Sequence, residues 1–226
     1  MCGRYGLTID QETVAATYEV ERLLFNHEPR YNIAPSQDVP VLLDDERGRR
    51  VEGFRWGLVP FWADDPKIGY RTINARAETV AGKPAFRNAW KRRRRCLVLA
   101  TGFYEWQKPA SGKGPKRPHW IRLADARPFG FAGLWERWDG GGEPLYTCTI
   151  LTTDANELVG PIHPRMPVIL GERWSWNAWV DPEVAPAEAE ASLAPYPAEE
   201  MHAQPVSTYV NSPRNEGPQC IELDEG

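Results

Sequence analysis

The sequence has few cysteines and no long hydrophobic run. Its four cysteines, Cys2, Cys96, Cys148 and Cys220, lie more than fifty residues apart, so no CxxC pair is present to hold zinc or form a redox disulfide. No segment approaches the roughly 18 consecutive apolar residues of a membrane-spanning helix. The first residues, MCGRYGLTID, lack the basic and then apolar order of a signal peptide. We therefore expect a cytoplasmic protein that needs no metal, no cofactor and no membrane.

A large net charge is also absent. The formal charge is −4, and 42% of the 226 residues are hydrophobic, with ten Trp, eight Tyr and seven Phe. A disordered chain would have fewer apolar residues and a larger net charge. We therefore expect one folded domain over residues 1–226.

The small total charge hides an uneven distribution. Residues 47–122 hold 19 Lys and Arg against 5 Asp and Glu, which leaves 8 against 26 in the rest of the chain. Arg makes up 21 of the 27 cationic residues, and its planar guanidinium grips phosphate and stacks on bases. Arginine with aromatic side chains suits a nucleic-acid surface, although ordinary cation–π packing uses the same pair.

Short strand patterns outnumber helical ones. One helix is predicted from Asp10 toward Asn26, a second from Pro84 into the KRRRR run at 91–95, and shorter ones over 156–159, 173–180 and 187–193. Turn-forming Pro, Gly and Asp separate the predicted strands, and 111–118 and 139–144 are expected to be hairpin loops. Without a regular alternation of strand and helix, the pattern favours an α+β fold with a mostly antiparallel, curled or barrel-like sheet and flanking helices. The predicted strands are 39–43, 51–56, 96–100, 103–107, 119–123, 129–135, 146–152, 168–170 and 204–206.

Position 2 carries the most specific chemical signal. Loss of Met1, which a small second residue permits, would leave Cys2 as an N-terminal 1,2-aminothiol. Its α-amine, with a reference pKa of about 7.7–8.0, can condense with an aldehyde, whereas a Lys amine at about 10.4 mostly stays protonated. The thiol can then add to the imine carbon and close a five-membered thiazolidine ring.

The residues alone leave other interpretations of Cys2 open. Its thiolate could be a nucleophile assisted by the free amine, as in N-terminal-nucleophile hydrolases. It could also be an accidental cysteine in a frayed terminus.

Nine sequence blocks, in order and with plausible spacing, resemble the SOS response-associated peptidase family over nearly the whole chain. Any one block is weak evidence, but the set is specific. The blocks are MCGRYG at 1–6, RYNIAPS at 30–36, RWGLVPFW at 55–62, INARAET at 73–79, RCLVLATGFYEW at 95–106, FAGLWE at 131–136, TILTTDAN at 149–156, IHPRMPVIL at 162–170 and PVSTYVNSPRNEG at 205–217.

The resemblance implies a protein that binds single-stranded DNA at abasic sites and forms a covalent cross-link through its N-terminal cysteine. Cys2 matches the cross-linking residue, Glu105 the family's catalytic glutamate and His163 its histidine. Glutamate and histidine would move protons as the sugar ring opens and the carbinolamine dehydrates. Asn74 matches an asparagine that orients the sugar or the Cys2 amine.

The resemblance also implies DNA contacts. Arg76 and Arg165 match arginines that grip phosphates, and Arg4 is a further candidate because it lies close to Cys2 in the chain. Phe61 and Trp62 match an aromatic wedge against the bases beside the lesion.

Asn32 and Pro35 are expected to line the same cleft, whereas the KRRRR run is expected to be a solvated helix end. We therefore expect a monomeric abasic-site sensor in the cytoplasm, associated with the nucleoid when bound to DNA. Lyase activity and thiol autopeptidase activity that removes Met1 are accompanying expectations. The alternatives are a thiol peptidase or amidohydrolase that uses Cys2, and a noncovalent module that binds modified bases.

Overall fold

The computed structural model describes residues 2–224 of the chain, which form fourteen strands, four α-helices and several short 3-10 segments. No helix in this part of the chain is long and apolar enough to cross a membrane. The helices are α1 (Gln11–Tyr18), α2 (Arg87–Lys91), α3 (Arg173–Val180) and α4 (Pro186–Glu190). The strands are β1 (Tyr5–Leu7), β2 (Arg22–Leu23), β3 (Arg30–Ile33), β4 (Asp38–Asp45), β5 (Gly48–Trp56), β6 (Asn74–Arg76), β7 (Arg95–Ala100), β8 (Gly102–Gln107), β9 (Arg117–Leu123), β10 (Phe129–Trp138), β11 (Leu145–Asp154), β12 (Arg165–Pro167), β13 (Ile169–Leu170) and β14 (Met201–Pro205).

Five strands of the larger sheet close into a ring in the order β11, β10, β7, β4 and β5. The first four neighbouring pairs are antiparallel. The ring closes where β5 runs parallel to β11, with Arg55 opposite Thr147 and Trp56 opposite Cys148. β7 is buried along its whole length, and α3 covers it, with the indole N–H of Trp179 donating to the Cys96 carbonyl at 2.9 Å. The predicted curled, mostly antiparallel sheet of an α+β fold is confirmed.

A second sheet has the strand order β14, β9, β8, β1 and β3, all antiparallel. We call the closed ring of five strands the barrel. The chain crosses from the barrel to the second sheet at Thr101, which alone separates β7 from β8. The Thr101 N–H donates to the Gly6 carbonyl at 2.9 Å, which holds the crossing against β1. β8 therefore carries its side chains from the barrel edge into the second sheet.

The first helix is shorter than predicted. Asp10 caps it by accepting a backbone hydrogen bond in the first turn. The helix ends at Tyr18, because Glu19 adopts a left-handed conformation with φ of 52°. Phe25, predicted to lie on this helix, instead packs its ring on Gly53, where a Cβ would lie 2.2 Å from a ring carbon. The prediction of a helix to residue 26 is therefore wrong.

The KRRRR run is also divided differently from the prediction. The second helix begins at Arg87 rather than Pro84 and ends at Lys91. Arg93 then turns the chain with φ of 53°, and Arg95 begins β7 with only 4% of its surface exposed. Arg94 stacks on Trp135 at 5.0 Å from the ring centre. The run is thus only partly a solvated helix end.

The remaining short predictions have mixed outcomes. The helix at 173–180 is confirmed, and the one predicted at 187–193 lies earlier, as α4. Residues 156–159 form hydrogen-bonded turns instead of a helix. The hairpin loops are confirmed between β8 and β9 and between β10 and β11. The sequence patterns missed the short strands β1, β2, β3, β6 and β12, because two to four residues carry too little alternation.

Candidate active site

Cys2 lies shortly before β1, separated from it by Gly3 and Arg4, and its side chain is fully buried. β1 pairs antiparallel with β8, and the Tyr104 N–H extends this pairing by donating to the Arg4 carbonyl at 2.9 Å. This register brings the Cys2 end of the chain alongside the part of β8 that holds Glu105.

Glu105 and His163 are two titratable side chains that lie close together in the site. Glu105 is 4% exposed, and its Oε1 lies 4.0 Å from Nδ1 of His163. His163 comes from the loop between β11 and β12, where its backbone N–H donates to the Val159 carbonyl at 2.9 Å and the Arg165 N–H lies 3.1 Å from its Nδ1. Local turns therefore hold the imidazole next to a buried carboxyl group.

The protein environment raises the pKa of both the Glu105 carboxyl and the Cys2 thiol. Burial raises the pKa of the Glu105 carboxyl, and His163 partly opposes this shift. Burial also raises the pKa of the Cys2 thiol well above its usual range, and the charge of Glu105 raises it further. The thiol is therefore protonated at neutral pH and needs a base, and Glu105 is close enough to influence its titration.

Asn74 reaches the site from the barrel. It lies on β6, where it pairs with Ile150 of β11. Its Nδ2 donates to the Cys2 carbonyl at 2.7 Å. Its Oδ1 is buried and accepts no hydrogen bond from the residues that the structure describes. One side of the amide thus holds the N-terminal segment, while the other keeps an acceptor available.

Arg4 and Asn32 lie near Cys2, but their polar atoms are used within the protein. Arg4 donates to Asn32 Oδ1 at 2.7 Å and to the Val210 carbonyl at 3.0 Å, and it stacks over Trp106. Asn32 is 1% exposed, and its Nδ2 donates to the carbonyls of Ser212 and Asn215 at 2.9 and 2.7 Å. The hydrogen bonds of Arg4 and Asn32 tie the N-terminal segment and β3 to residues 208–217, which we call the C-terminal strap.

Arg165 is held by two carboxylates. Its guanidinium binds Glu78 in bidentate fashion at 2.8 and 2.9 Å and Asp154 at 2.7 Å. It also donates to the Thr152 carbonyl at 2.7 Å. These bonds join β12, β11 and the segment after β6, so Arg165 fixes the loop that carries His163.

The other predicted DNA-contacting side chains reach solvent. Phe61 and Trp62 are 57% and 48% exposed, unusually high for large apolar rings. The Trp62 indole N–H donates to the Pro84 carbonyl at 3.3 Å, which orients that ring. Arg76, two residues after Asn74, is exposed, and Pro35 is half-buried. The two rings and the Arg76 guanidinium are therefore open to solvent.

Some supporting residues had no local signal in the sequence. Glu78, which lies 87 residues before its partner Arg165, and the C-terminal strap come from distant parts of the chain. The alternation in GFYEW does indicate that Glu105 faces away from Tyr104 and Trp106. Within residues 2–224, no three His, Cys, Asp or Glu side chains cluster in a way that could hold a metal ion.

Comparison with known proteins gives consistent matches. The family model described as SOS response associated peptidase (SRAP) matches residues 1–213. The chain is 43% identical to the abasic site processing protein YoqW of Bacillus subtilis, covering 98% of this chain and 99% of that protein. It is 39% identical to the abasic site processing protein HMCES of Gallus gallus, covering 86% of this chain and 66% of that one.

A solved structure shares the fold. The crystal structure of a protein from Bacteroides thetaiotaomicron matches with a TM-score of 0.87 at 28% identity, covering 99% of this chain and all of that one. The match of the family model over nearly the whole chain agrees with the nine blocks seen in the sequence. The chain belongs to the SOS response associated peptidase (SRAP) family.

Proposed function

We propose that this protein captures abasic sites in single-stranded DNA by forming a thiazolidine between Cys2 and the open-chain aldehyde of the sugar. The observation that carries the proposal is the convergence of Cys2, Asn74, Glu105 and His163 between the barrel and the second sheet. Relatives named for abasic-site processing support it. All four side chains come from one chain, which fits a monomer acting at DNA in the cytoplasm.

The first step requires the loss of Met1, which lies outside the described residues. An amide nitrogen cannot form an imine, whereas the α-amine of a terminal Cys2 can attack the C1′ aldehyde. The resulting carbinolamine loses one water to give the imine. Glu105 and His163 supply the proton donor and acceptor for this dehydration, and Asn74 holds the Cys2 carbonyl so that the amine keeps one orientation.

The second step closes the ring. The Cys2 thiol adds to the imine carbon, its sulfur forms the new C–S bond, and its proton ends on the nitrogen. Because burial raises the pKa of that thiol, a base must take the proton during attack, and we assign this role to Glu105. The reverse proton transfer would reopen the ring, so the same carboxylate serves formation and release.

The exposed side chains supply the DNA contacts. Phe61 and Trp62 stack on bases beside the lesion, and Arg76 binds a phosphate. A phosphate at Arg165 would compete with two carboxylates that already bind it. Arg4 and Asn32 act by holding the N-terminal segment, and Pro35 lines the neighbouring turn.

Two accompanying activities remain part of the proposal. Autocatalytic removal of Met1 by the Cys2 thiol would explain the family name. The imine is also the entry point for β-elimination of the 3′ phosphate, so lyase activity would appear when thiol addition is slow. The alternative of a thiol peptidase acting in trans would also need a base to take the proton from Cys2, because burial raises the pKa of its thiol and peptidases attack with a thiolate.

The proposal is tested with an oligonucleotide that carries one abasic site. Protein whose intact mass shows loss of Met1 should give a gel shift that survives heat and detergent without any reductant. Cys2→Ala keeps an α-amine but has no thiol, so its adduct should survive only after reduction by borohydride. Absence of a stable adduct with the processed wild-type protein would refute the covalent mechanism, and turnover of peptides in trans would favour the peptidase.

A further inference from the structure

The hairpin between β8 and β9 is strongly basic. Residues 108–117, which we call the basic hairpin, read KPASGKGPKR and contain three lysines and one arginine. No acidic residue occurs from Trp106 through Ala124. Lys108, Lys113 and Lys116 are exposed, whereas Arg117 pairs with Asp224 at 3.1 Å. The lysines therefore present their charge to solvent.

The basic hairpin begins close to the candidate active site. Side chains two residues apart on a strand share one face, so Gln107 lies on the same face of β8 as Glu105, about 7 Å further along. Gln107 Nε2 donates to the Pro161 carbonyl at 3.3 Å. Pro161 is two residues from His163, so the base of the hairpin touches the loop that carries the imidazole.

Next to this contact, a cavity lies between the hairpin and Pro161 of that loop. It has a volume of about 450 Å³ and is lined by Gln107, Lys108, Pro109, Arg117 and Pro161, among others. Its lining carries cations and no carboxylate. The space is large enough for a phosphodiester group and provides positive charge on the hairpin side.

We propose that the basic hairpin binds the phosphate backbone of the DNA strand where it leaves the lesion on the His163 side. This inference rests on the proposed function, because it extends the path of the same strand beyond Glu105. The hairpin tip has Pro, Ala, Ser and Gly but no large apolar side chain, so it lacks the anchor that a protein interface needs. Exposed lysines suit contacts with phosphates, which are independent of base sequence.

The test compares two triple variants with equal loss of charge. K108Q/K113Q/K116Q removes the hairpin cations. The control R47Q/K91Q/R92Q removes three exposed cations, two of which line a cavity that shares no residue with the hairpin cavity. None of the six residues is part of the proposed chemistry.

Cross-linking rates are measured against DNA concentration and salt. For the hairpin variant we expect the half-saturating DNA concentration to rise about tenfold at low salt, with a logarithmic salt slope shallower by about 2, since each phosphate contact contributes about 0.7. The rate at saturating DNA should equal that of the wild type. The control should move the half-saturating concentration and the slope much less.

Two further oligonucleotides locate the contact. Each carries the abasic site at one end, so DNA extends from the lesion in only one direction. The defect of the hairpin variant should vanish with one of them and persist with the other. An equal defect with both, or equal behaviour of the two triple variants, would overturn the proposal, as would a slower saturating rate without loss of affinity.

The outcomes also separate the two proposals. If the processed wild-type protein forms no heat-stable adduct, the proposed function fails. If it forms the adduct and the hairpin variant shows the wild-type half-saturating concentration, only the role of the basic hairpin fails.

Discussion

Burial gives the single residues of the site their chemical character. Cys2 and Glu105 both lie in a low-dielectric environment that disfavours their charged forms, so the pKa of each is raised. A protonated thiol is protected from adventitious oxidation, because the thiolate is the reactive form. The same burial poises Glu105 to exchange a proton with its neighbours. Under the proposed function, Cys2 would therefore stay inactive until a base and an electrophile are both present.

The pH dependence of capture should report the titration of Glu105. Because burial raises its pKa, the carboxyl stays protonated to higher pH than an ordinary Glu, and the base is lost as pH falls through that raised value. We expect the single-turnover rate at saturating DNA to fall on the acid side at a pH above about 4.3, the reference value for Glu.

Glu105→Gln should lower the plateau rate by about 10²–10⁴-fold, the usual contribution of a general base, and abolish the part of the acid limb that Glu105 contributes. The separate decline that begins as the α-amine becomes protonated, below its reference pKa of about 7.7–8.0, should remain. An acid limb unchanged in the Gln variant would show that another group is the base.

At the scale of elements, the N-terminal segment is positioned by parts of the chain that are far apart in sequence. Asn74 on β6 holds the Cys2 carbonyl, while Arg4 and Asn32 bind the C-terminal strap. Trp106, next to Glu105, also donates from its indole to Asn211 Oδ1 at 2.8 Å. Both ends of the described chain therefore support the site.

Asn32→Ala tests this support. The change leaves the carbonyls of Ser212 and Asn215 and the Arg4 guanidinium without their shared partner. We expect a loss of about 2–3 kcal/mol in unfolding free energy, which lowers Tm by about 4–12 °C for a domain of this size. Calorimetry measures the shift.

The affinity for undamaged single-stranded DNA should stay close to the wild-type value in this variant, when measured well below its Tm. An unchanged Tm combined with weaker DNA binding would instead show that Asn32 contacts DNA directly.

For the whole molecule, we expect charge and stacking to make separate contributions to DNA binding. The basic stretch 47–122 contains Phe61, Trp62, Arg76 and Glu105, whereas Cys2 and His163 come from the acidic remainder. A protein with a net charge of −4 is unsuited to coating DNA generally. Under the proposed function, covalent capture would make occupancy of the lesion independent of ionic strength after a salt-sensitive encounter.

Phe61→Ala with Trp62→Ala separates these contributions. Loss of stacking, worth roughly 1–3 kcal/mol per base, should weaken the affinity for undamaged single strands by at least tenfold. The logarithmic salt slope should not change, because neither ring carries charge. Fluorescence anisotropy at several salt concentrations measures both quantities.

Arg76→Gln provides the complementary result. It should make the salt slope shallower by about 0.7, the contribution of one phosphate on a single strand. A changed slope in the aromatic variant, or an unchanged slope in Arg76→Gln, would contradict this division.

Local patterns predicted most of the larger strands because alternation along each is visible without its neighbours. The end of α1 at Tyr18 was not predictable, because it depends on a left-handed Glu19 and on the packing of Phe25 against Gly53. The buried Arg95 follows from its position as the first residue of β7 under α3, which a run of basic residues does not reveal. The local sequence specifies the propensity for helix or strand, whereas the ends of each element depend on tertiary contacts.

The sequence by itself determined the α+β class and the family, because these follow from composition, alternation and ordered blocks, and it predicted which side chains carry the proposed chemistry. Only the tertiary structure decided that Cys2 is buried beside Glu105, that Asn74 holds its carbonyl, and that Arg4 and Asn32 bind the C-terminal strap. These facts depend on the crossing of the chain from barrel to sheet and on contacts between segments up to about two hundred residues apart. Burial and hydrogen bonding of this kind arise from three-dimensional packing, which sets the pKa of each group as well as its position.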